Sequence, residues 1–421
     1  MNGLLVSVKP GSILYSYLLN LLMVVYALLL PFSNAFAVHT GPFLLTLFWI
    51  LEGRVGEKIS SIRSCRPIQL AGALFLLILL SVLWSDDISR GLKIAKYYFV
   101  VFSVLTVFRT SVKPRFVKPI LYAFLLSMFV SEIFTYGIYF GWWEIAGASP
   151  QSPNPPYIHH ILYSIFLAVT VILLMGQIVD RGVDRRVRAL ELLFLFSTSA
   201  NLFINGGRTG QIALIVSIVT FVIVYRGFKP LYLAGVFLSL AILFTSAYHL
   251  SPNFRHRSAQ AVEDMEKMVE RGDLNSSWGQ RVAMAIVSVR MVSDHPILGC
   301  GGGDSMDIYK EYLKKDDLER YSYTHRVPHV HNQYLQVAIE SGLAGLILLV
   351  GFLLSIMAAP SADSLNRAVL MGVLSVFLFG FFTDVLWHNY TSGLFGFLMG
   401  YLLFRSAGGG VNMDDTGGKT V

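Results

Sequence analysis

Long apolar runs alternate with short polar connections along almost the whole chain. A bilayer core about 30 Å thick takes about 20 apolar residues in a helix. On that measure, membrane-spanning helices are predicted near 13–32, 35–51, 68–84, 92–108, 117–140, 158–179, 189–205, 209–225, 230–250, 333–358, 366–388 and 391–405. The spans near 35–51 and 391–405 are short, and tilting or a re-entrant course would suit them. The run at 13–32 follows Lys9 and precedes Ala35-Phe36-Ala37, which resembles a signal-peptide cleavage site. Its length and the many runs behind it favour a retained first helix. The expected fold is all-α, a polytopic membrane protein with about 12 transmembrane helices.

Basic residues orient these spans, because cytoplasmic loops collect Lys and Arg. Arg54, Lys58, Arg63 and Arg66 fall between spans two and three, and Arg109, Lys113, Arg115 and Lys118 between four and five. Arg181, Arg185, Arg186 and Arg188 lie between six and seven, with Arg226 and Lys229 between eight and nine. All share one side if both termini are cytoplasmic. The expected organisation is helices one to nine over 1–250, an outer loop over 251–332, helices ten to twelve over 333–405, and a cytoplasmic tail over 406–421.

The outer loop holds 11 Lys/Arg against 12 Asp/Glu, so it exerts no bulk field. It should nevertheless be ordered. Ser277-Trp278-Gly279-Gln280 has the capping-box pattern ahead of an apolar-rich stretch that Asp294-His295-Pro296 stops. Asp304 is placed to cap a second helix running to Lys315, and 259–270 has helical spacing up to Gly272. Gly299-Cys300-Gly301-Gly302-Gly303 reads as a flexible connection.

Composition changes this picture little. The 421 residues are 54% hydrophobic and 14% charged, with mean hydropathy +0.60, which excludes an ordinary soluble domain. The net charge of +7 is not read as a nucleic-acid footprint. Cys65 and Cys300 fall on opposite sides of the membrane, so no intrachain disulfide is expected. There is no Walker loop, Rossmann glycine pattern or paired-cysteine metal site, so ATP or NAD use has no support.

Candidate chemistry gathers on the outer face. Arg208, in the tight turn Asn205-Gly206-Gly207-Arg208-Thr209-Gly210, opens a helix, where the macrodipole disfavours a cation. Free amides, glycines and a guanidinium together suit a phosphate or diphosphate; an arginine snorkelling to lipid phosphate is the alternative. Arg281 also occupies the first turn of a helix, where a solvated surface arginine is the plain reading. At His329-Val330-His331-Asn332-Gln333 the loop returns to the membrane, and a neutral imidazole there would suit a general base for a sugar hydroxyl. A capping histidine, or a zinc site of His325, His329 and His331, is the alternative. Tyr157, His159 and His160 lie at the outer end of span six, and Asp384, Trp387 and His388 at that of span eleven. Tyr and Trp here suit an aromatic belt. Asp384, about one turn inside, should face the bundle interior, and Glu340 lies deeper still as a hydrogen-bonding residue.

These motifs resemble the O-antigen ligase/polymerase superfamily of bacterial membrane glycosyltransferases. Three stretches carry the likeness: His331-Asn332 followed at fixed distance by Gly342-Leu343-Ala344-Gly345; Gly-Arg-Thr-Gly around Arg208; and Arg281 followed by Pro296-Ile297-Leu298-Gly299-Cys300-Gly301. The resemblance implies a donor polysaccharide on undecaprenyl diphosphate in the bacterial inner membrane, with the site on the periplasmic face. It implies that Arg208 and Arg281 hold the diphosphate, and that His331 deprotonates the acceptor for an inverting displacement with no metal or other cofactor. Asn332, His329, Tyr157, His160, Asp384, Trp387 and His388 are secondary candidates. The His-Asn to G-x-x-G spacing points to a ligase acting on lipid A–core over a polymerase. The short C-terminal region argues against a protein-directed oligosaccharyltransferase. A lipid-glycan transporter is the alternative of another class, but its polar groups belong near the midplane of broken helices in related halves.

Overall fold

The computed structural model describes residues 10–156, 158–315, 318 and 327–406. Tyr157, His325 and the tail beyond 406 lie outside the described residues. Sixteen α-helices follow in chain order: α1 (Pro10–Leu29), α2 (Gly41–Leu51), α3 (Val55–Arg63), α4 (Arg66–Leu80), α5 (Ile88–Ser111), α6 (Pro114–Tyr139), α7 (His160–Val179) and α8 (Arg185–Ile204). Then come α9 (Arg208–Arg226), α10 (Pro230–Leu250), α11 (Pro252–Arg271), α12 (Ser277–Asp294), α13 (Ser305–Lys315), α14 (Gln333–Met357), α15 (Ser364–Thr383) and α16 (Tyr390–Ser406). No strand occurs among the described residues, only an isolated bridge between Ser149 and Ser152.

Each apolar run read from the sequence is helical, but they are not equally able to cross a membrane. Nine helices among the described residues have the length and apolarity to do so, or ten if the stretch Phe36–Leu51 is joined to α3 across a 118° bend. Two further apolar helices are α1, whose stretch Ile13–Leu29 is apolar, and α16, which has 17 residues. The described residues thus make an all-α, multi-pass membrane protein with about nine or ten apolar helices, beside the twelve spans expected. Span eleven also stops earlier than predicted. Its helix ends at Thr383, because Asp384 turns to an extended backbone, and residues Leu386–His388 form a separate short helical turn.

The bundle centre is made by α15 against α9 and α7, and by α16 against α5. Buried aromatic residues fill it, with Trp387 packed among Phe352, Phe381 and Phe395. The bend between α2 and α3 is tied by a buried pair, Lys58 Nζ to Glu52 Oε2 at 2.9 Å.

The described part of segment 251–332 carries helices α11, α12 and α13, with caps that differ from those predicted. The N-cap of α12 is Ser276, one residue before the predicted box, and its hydroxyl accepts from the Gly279 amide at 3.0 Å. The α11 helix begins earlier than predicted and ends on Gly272 in the left-handed region. Asp304 does not cap α13 with its side chain. Its carboxylate instead accepts from the amides of Asp86 and Asp87, at 2.7 and 2.9 Å, and so pins the loop to the start of α5.

The glycine run 299–303 is the largest correction, since it is packed rather than flexible. Helix α14 breaks at Ser341 and Gly342, whose backbone is non-helical. Such a break frees polar backbone groups that must be paired elsewhere. The glycine-rich segment supplies the partners. Cys300 N donates to Ile339 O at 2.8 Å, Gly301 N to Glu340 O at 3.1 Å, and Leu343 N to Pro296 O at 2.8 Å. Beyond it, the Gly302 and Gly303 amides donate to the hydroxyls of Ser81 and Ser85. Gly342 has φ +63°, and a Cβ there would sit 2.3 Å from Ile297 backbone atoms. Gly342→Ala should therefore undock the loop, at a cost of several kcal/mol from clash and backbone strain. Faster proteolysis of 251–332 in the variant would register this; an unchanged cleavage rate would contradict it.

Candidate active site

The docked loop brings four separated stretches together: the residues before α14, the residues after α15, and the first turns of α9 and of α12. His331 has φ +49°, an unusual conformation for a residue other than glycine. Asn332 follows as the N-cap, its side-chain oxygen accepting from Leu335 N at 3.0 Å. The left-handed turn sends the His331 ring toward Asp384, with Nδ1 to Oδ1 at 3.1 Å. His329 reaches the same oxygen from 3.8 Å, and the two imidazoles meet edge to face at 4.6 Å.

This places Asp384 differently from its expected role as a polar residue inside span eleven. It stands just past the helix end, buried, beside His331. An Nδ1–H donated to the carboxylate fixes the tautomer and leaves Nε2 as the lone-pair nitrogen. Burial pushes the Asp384 carboxyl up, but the His331 hydrogen bond, the neighbouring imidazoles and the Val385 amide outweigh it and hold it at about 2. His329 is pushed down to about 4, chiefly by burial. It is thus uncharged at neutral pH and becomes charged only toward the low pH at which Asp384 itself titrates.

A pH dependence of stability follows. His329 in the unfolded chain takes up a proton near pH 6.5, while the folded site resists protonation until about pH 4. Stability should fall as pH drops through that window, by on the order of 3 kcal/mol. Asp384 adds a further loss as pH falls from about 4 toward 2. Unfolding midpoints in detergent at pH 7 and pH 4.5 test this, with His329→Ala expected to flatten the first part of the decline.

Arg281 stands on the other side of this cluster. Its Nε donates to Thr383 O at 3.1 Å, and Nη1 donates to Ser277 O and Oγ at 2.7 and 2.9 Å. It is therefore a held guanidinium rather than a solvated one. Burial lowers its pKa, with Asp384 opposing and Arg208 adding to the fall, so all three groups share one electrostatic neighbourhood. Arg208 begins α9, and Nη1 comes only to 4.0 Å from Asp264. That Nη1 is buried with no hydrogen-bond partner among the described residues. A buried, unsatisfied cationic donor is costly, and an anion would satisfy it.

The sequence reading missed Arg257 and Asp264 on α11. The Arg257 Nε lies 3.6 Å from where a Cβ on Gly206 would stand, and its Nη1 donates to Gln260 at 3.4 Å. Arg257, Gln260 and Asp264 are spaced three and four apart, so they share one helix face. That polar stripe was the available signal. His160 caps the far side, its carbonyl 2.8 Å from a Cβ on Gly207, and its ring lies 4.0 Å from that of His159. His159 is lowered by burial, against the opposing charge of Asp384.

Behind the site lies a buried polar network. Glu340 accepts from Gln336 at 2.7 Å and from the Tyr98 hydroxyl at 3.3 Å, with His388 Nε2 at 3.3 Å. Gln336 Oε1 accepts from the Val330 amide, and Gln333 Oε1 from the Trp387 amide. The network thus ties both loops that carry His331 and Asp384 to α14 and α5. The Trp387 and His388 rings pack here, and their Nε1 and Nε2 atoms are buried without a hydrogen-bond partner among the described residues.

His329, His331 and Asp384 could also hold a metal ion, since their donor atoms lie within 4.8 Å of one another. Tetrahedral donors at metal–nitrogen bonds of roughly 2.0–2.1 Å stand about 3.4 Å apart, close to the separations seen. The chemistry expected without a metal and this donor set both fit the cluster.

Together these features define a polytopic helical membrane protein with a histidine–carboxylate pair, one held arginine and one with an unsatisfied Nη1 at one end of its bundle. Residues 192–350 match the family model described as O-antigen ligase. This supports a likeness to the O-antigen ligase/polymerase superfamily over that stretch. The matched stretch contains Arg208, Arg281, His331, Asn332 and Gly342, whereas Asp384 and His388 lie beyond it. An uncharacterized protein of Haemophilus influenzae (strain ATCC 51907 / DSM 11121 / KW20 / Rd) is 25% identical over 168 residues, covering 39% of this chain. The matching stretch spans 41% of that relative's length.

Proposed function

We propose that the protein is an O-antigen ligase, transferring a glycan from undecaprenyl diphosphate to lipid A–core at the periplasmic face of the bacterial inner membrane. The observation that carries the reading is the His331–Asp384 pair, set beside two arginines within the family-matched stretch. In this reading the acceptor hydroxyl gives its proton to His331 Nε2 as its oxygen bonds to the anomeric carbon. The bond from that carbon to the diphosphate breaks, and the departing diphosphate takes up charge beside Arg208 and Arg281. Attack opposite the leaving group inverts the anomeric centre. Asp384 stabilises the imidazolium that forms, and the arginines supply preorganised positive charge.

The spacing from His331-Asn332 to Gly342 and Gly345 favours ligase over polymerase. The break at Gly342 supports giving that spacing weight, because the loop docks at the break, a fixed distance from His331. A protein-directed oligosaccharyltransferase shares the same chemistry, and its acceptor would be a protein hydroxyl. A transporter is less well supported, because the charged cluster sits at one end of the bundle beside one loop. Offering the purified protein a lipid-linked glycan together with lipid A–core decides the acceptor. Glycan on lipid A–core supports the ligase; longer lipid-linked chains alone would replace it with a polymerase.

A further inference from the structure

A second, separate feature lies on helices α2 and α5. A groove of about 450 Å³ is lined by Val38, Pro42, Phe43, Phe99 and Val100, with His39 and Lys96 at its polar edge. Lys96 Nζ stands 3.4 Å from both ring nitrogens of His39, and the charge acting on it is that of Lys93, of like sign. The ion pairs recorded among the described residues include none for Lys93 or Lys96. Both lysines fall in the first three turns of α5, the end to which Asp304 fastens the loop, so they are level with the site.

A cationic edge above an apolar trough suits a molecule with a phosphorylated head and acyl chains. The groove also communicates with the site: Lys96 Nζ lies 4.7 Å over the Tyr97 ring, and Tyr97 stacks on His388 at 5.9 Å. The arginines come from α9 and α12, on other helices. In a displacement that inverts carbon, the nucleophile enters on the face opposite the departing group, so two lipid substrates need separate berths.

We propose that this groove is the acceptor's berth, with Lys93, Lys96 and His39 holding a phosphate of the acceptor lipid's head while its acyl chains lie along Phe43 and Phe99. This rests on the ligase reading for the identity of the acceptor. Charge-assisted contact to phosphate is the dominant specific interaction, so removing both lysine charges should weaken acceptor binding about tenfold or more.

The test uses full-length protein in phosphatidylcholine nanodiscs. Binding of lipid A–core, intact and dephosphorylated, is measured for wild type, Lys96→Gln and Lys93→Gln/Lys96→Gln. The intact lipid should bind wild type at least tenfold tighter than the double variant, and dephosphorylation should erase that difference. In transfer assays the variants should raise KM for the acceptor with kcat and donor KM unchanged. Equal binding by variant and wild type would overturn the proposal. So would phosphatidylglycerol competing as well as lipid A–core, since the lysines would then serve bulk lipid. Lysine-dependent binding by a wild type that transfers nothing would support the berth and contradict only the enzyme reading.

Discussion

Replacing His331 with alanine is expected to lower glycan transfer by about 10²–10⁴-fold, the usual contribution of a positioned base, while the lipid-linked donor still binds. The reason lies in the division of labour within the site. The ring touches Asp384 through Nδ1 and leaves Nε2 for the acceptor, whereas donor charge is met by guanidinium groups on other helices. Asp384→Asn should also slow transfer, because an amide orients the ring but does not stabilise an imidazolium. The double variant should be little worse than His331→Ala alone, since the two side chains perform one task. Additive losses would show that Asp384 acts independently of His331. Single-turnover transfer with donor binding measured in parallel resolves these cases.

The second large effect is expected at the arginines. Arg208→Ala and Arg281→Ala should each cost about 3–4 kcal/mol of transition-state stabilisation, or 10²–10³-fold in rate, as for other preorganised donors to a developing anion. The two should differ in their response to lysine. Arg281 uses Nε and Nη1 for Thr383 and Ser277, a forked geometry that an ammonium does not reproduce. Arg281→Lys should therefore rescue little. Arg208 offers a buried Nη1 without a hydrogen-bond partner among the described residues, so Arg208→Lys should recover more. Rates for the four variants at saturating acceptor measure this; equal rescue at both positions would contradict the assignment of Arg281 as a built-in, oriented donor.

How far these features could be read from the chain depended on whether they are local. Apolar length marks each helix, and capping marks His331-Asn332, because both are set by neighbours in sequence. The pairing of His331 with Asp384, 53 residues apart, is not local and left no spacing to detect. The break in α14 was hidden because Ser341 and Gly342 sit inside an apolar run that scores as one span. The glycine segment 299–303 looked flexible for a related reason: its order comes from partners at Ile339 and Glu340 and in Ser81 and Ser85. Asp304 preceded a helix as a cap should, yet tertiary contact with the Asp86 and Asp87 amides took its carboxylate. Arg257 was overlooked because it lies in a near-neutral loop, and only the approach of α11 to Gly206 gives it a place.

The most direct test of the account is transfer by purified wild-type protein, with undecaprenyl-diphosphate glycan and lipid A–core, in EDTA and without nucleotide, beside His331→Ala and Arg208→Ala. The account predicts inverted glycan on lipid A–core from wild type alone. Transfer that needs a restored divalent ion would assign His329, His331 and Asp384 to a metal instead of a base. No transfer under any condition, with lipid-linked glycan moved across liposomes by the same protein, would contradict the glycosyltransferase itself.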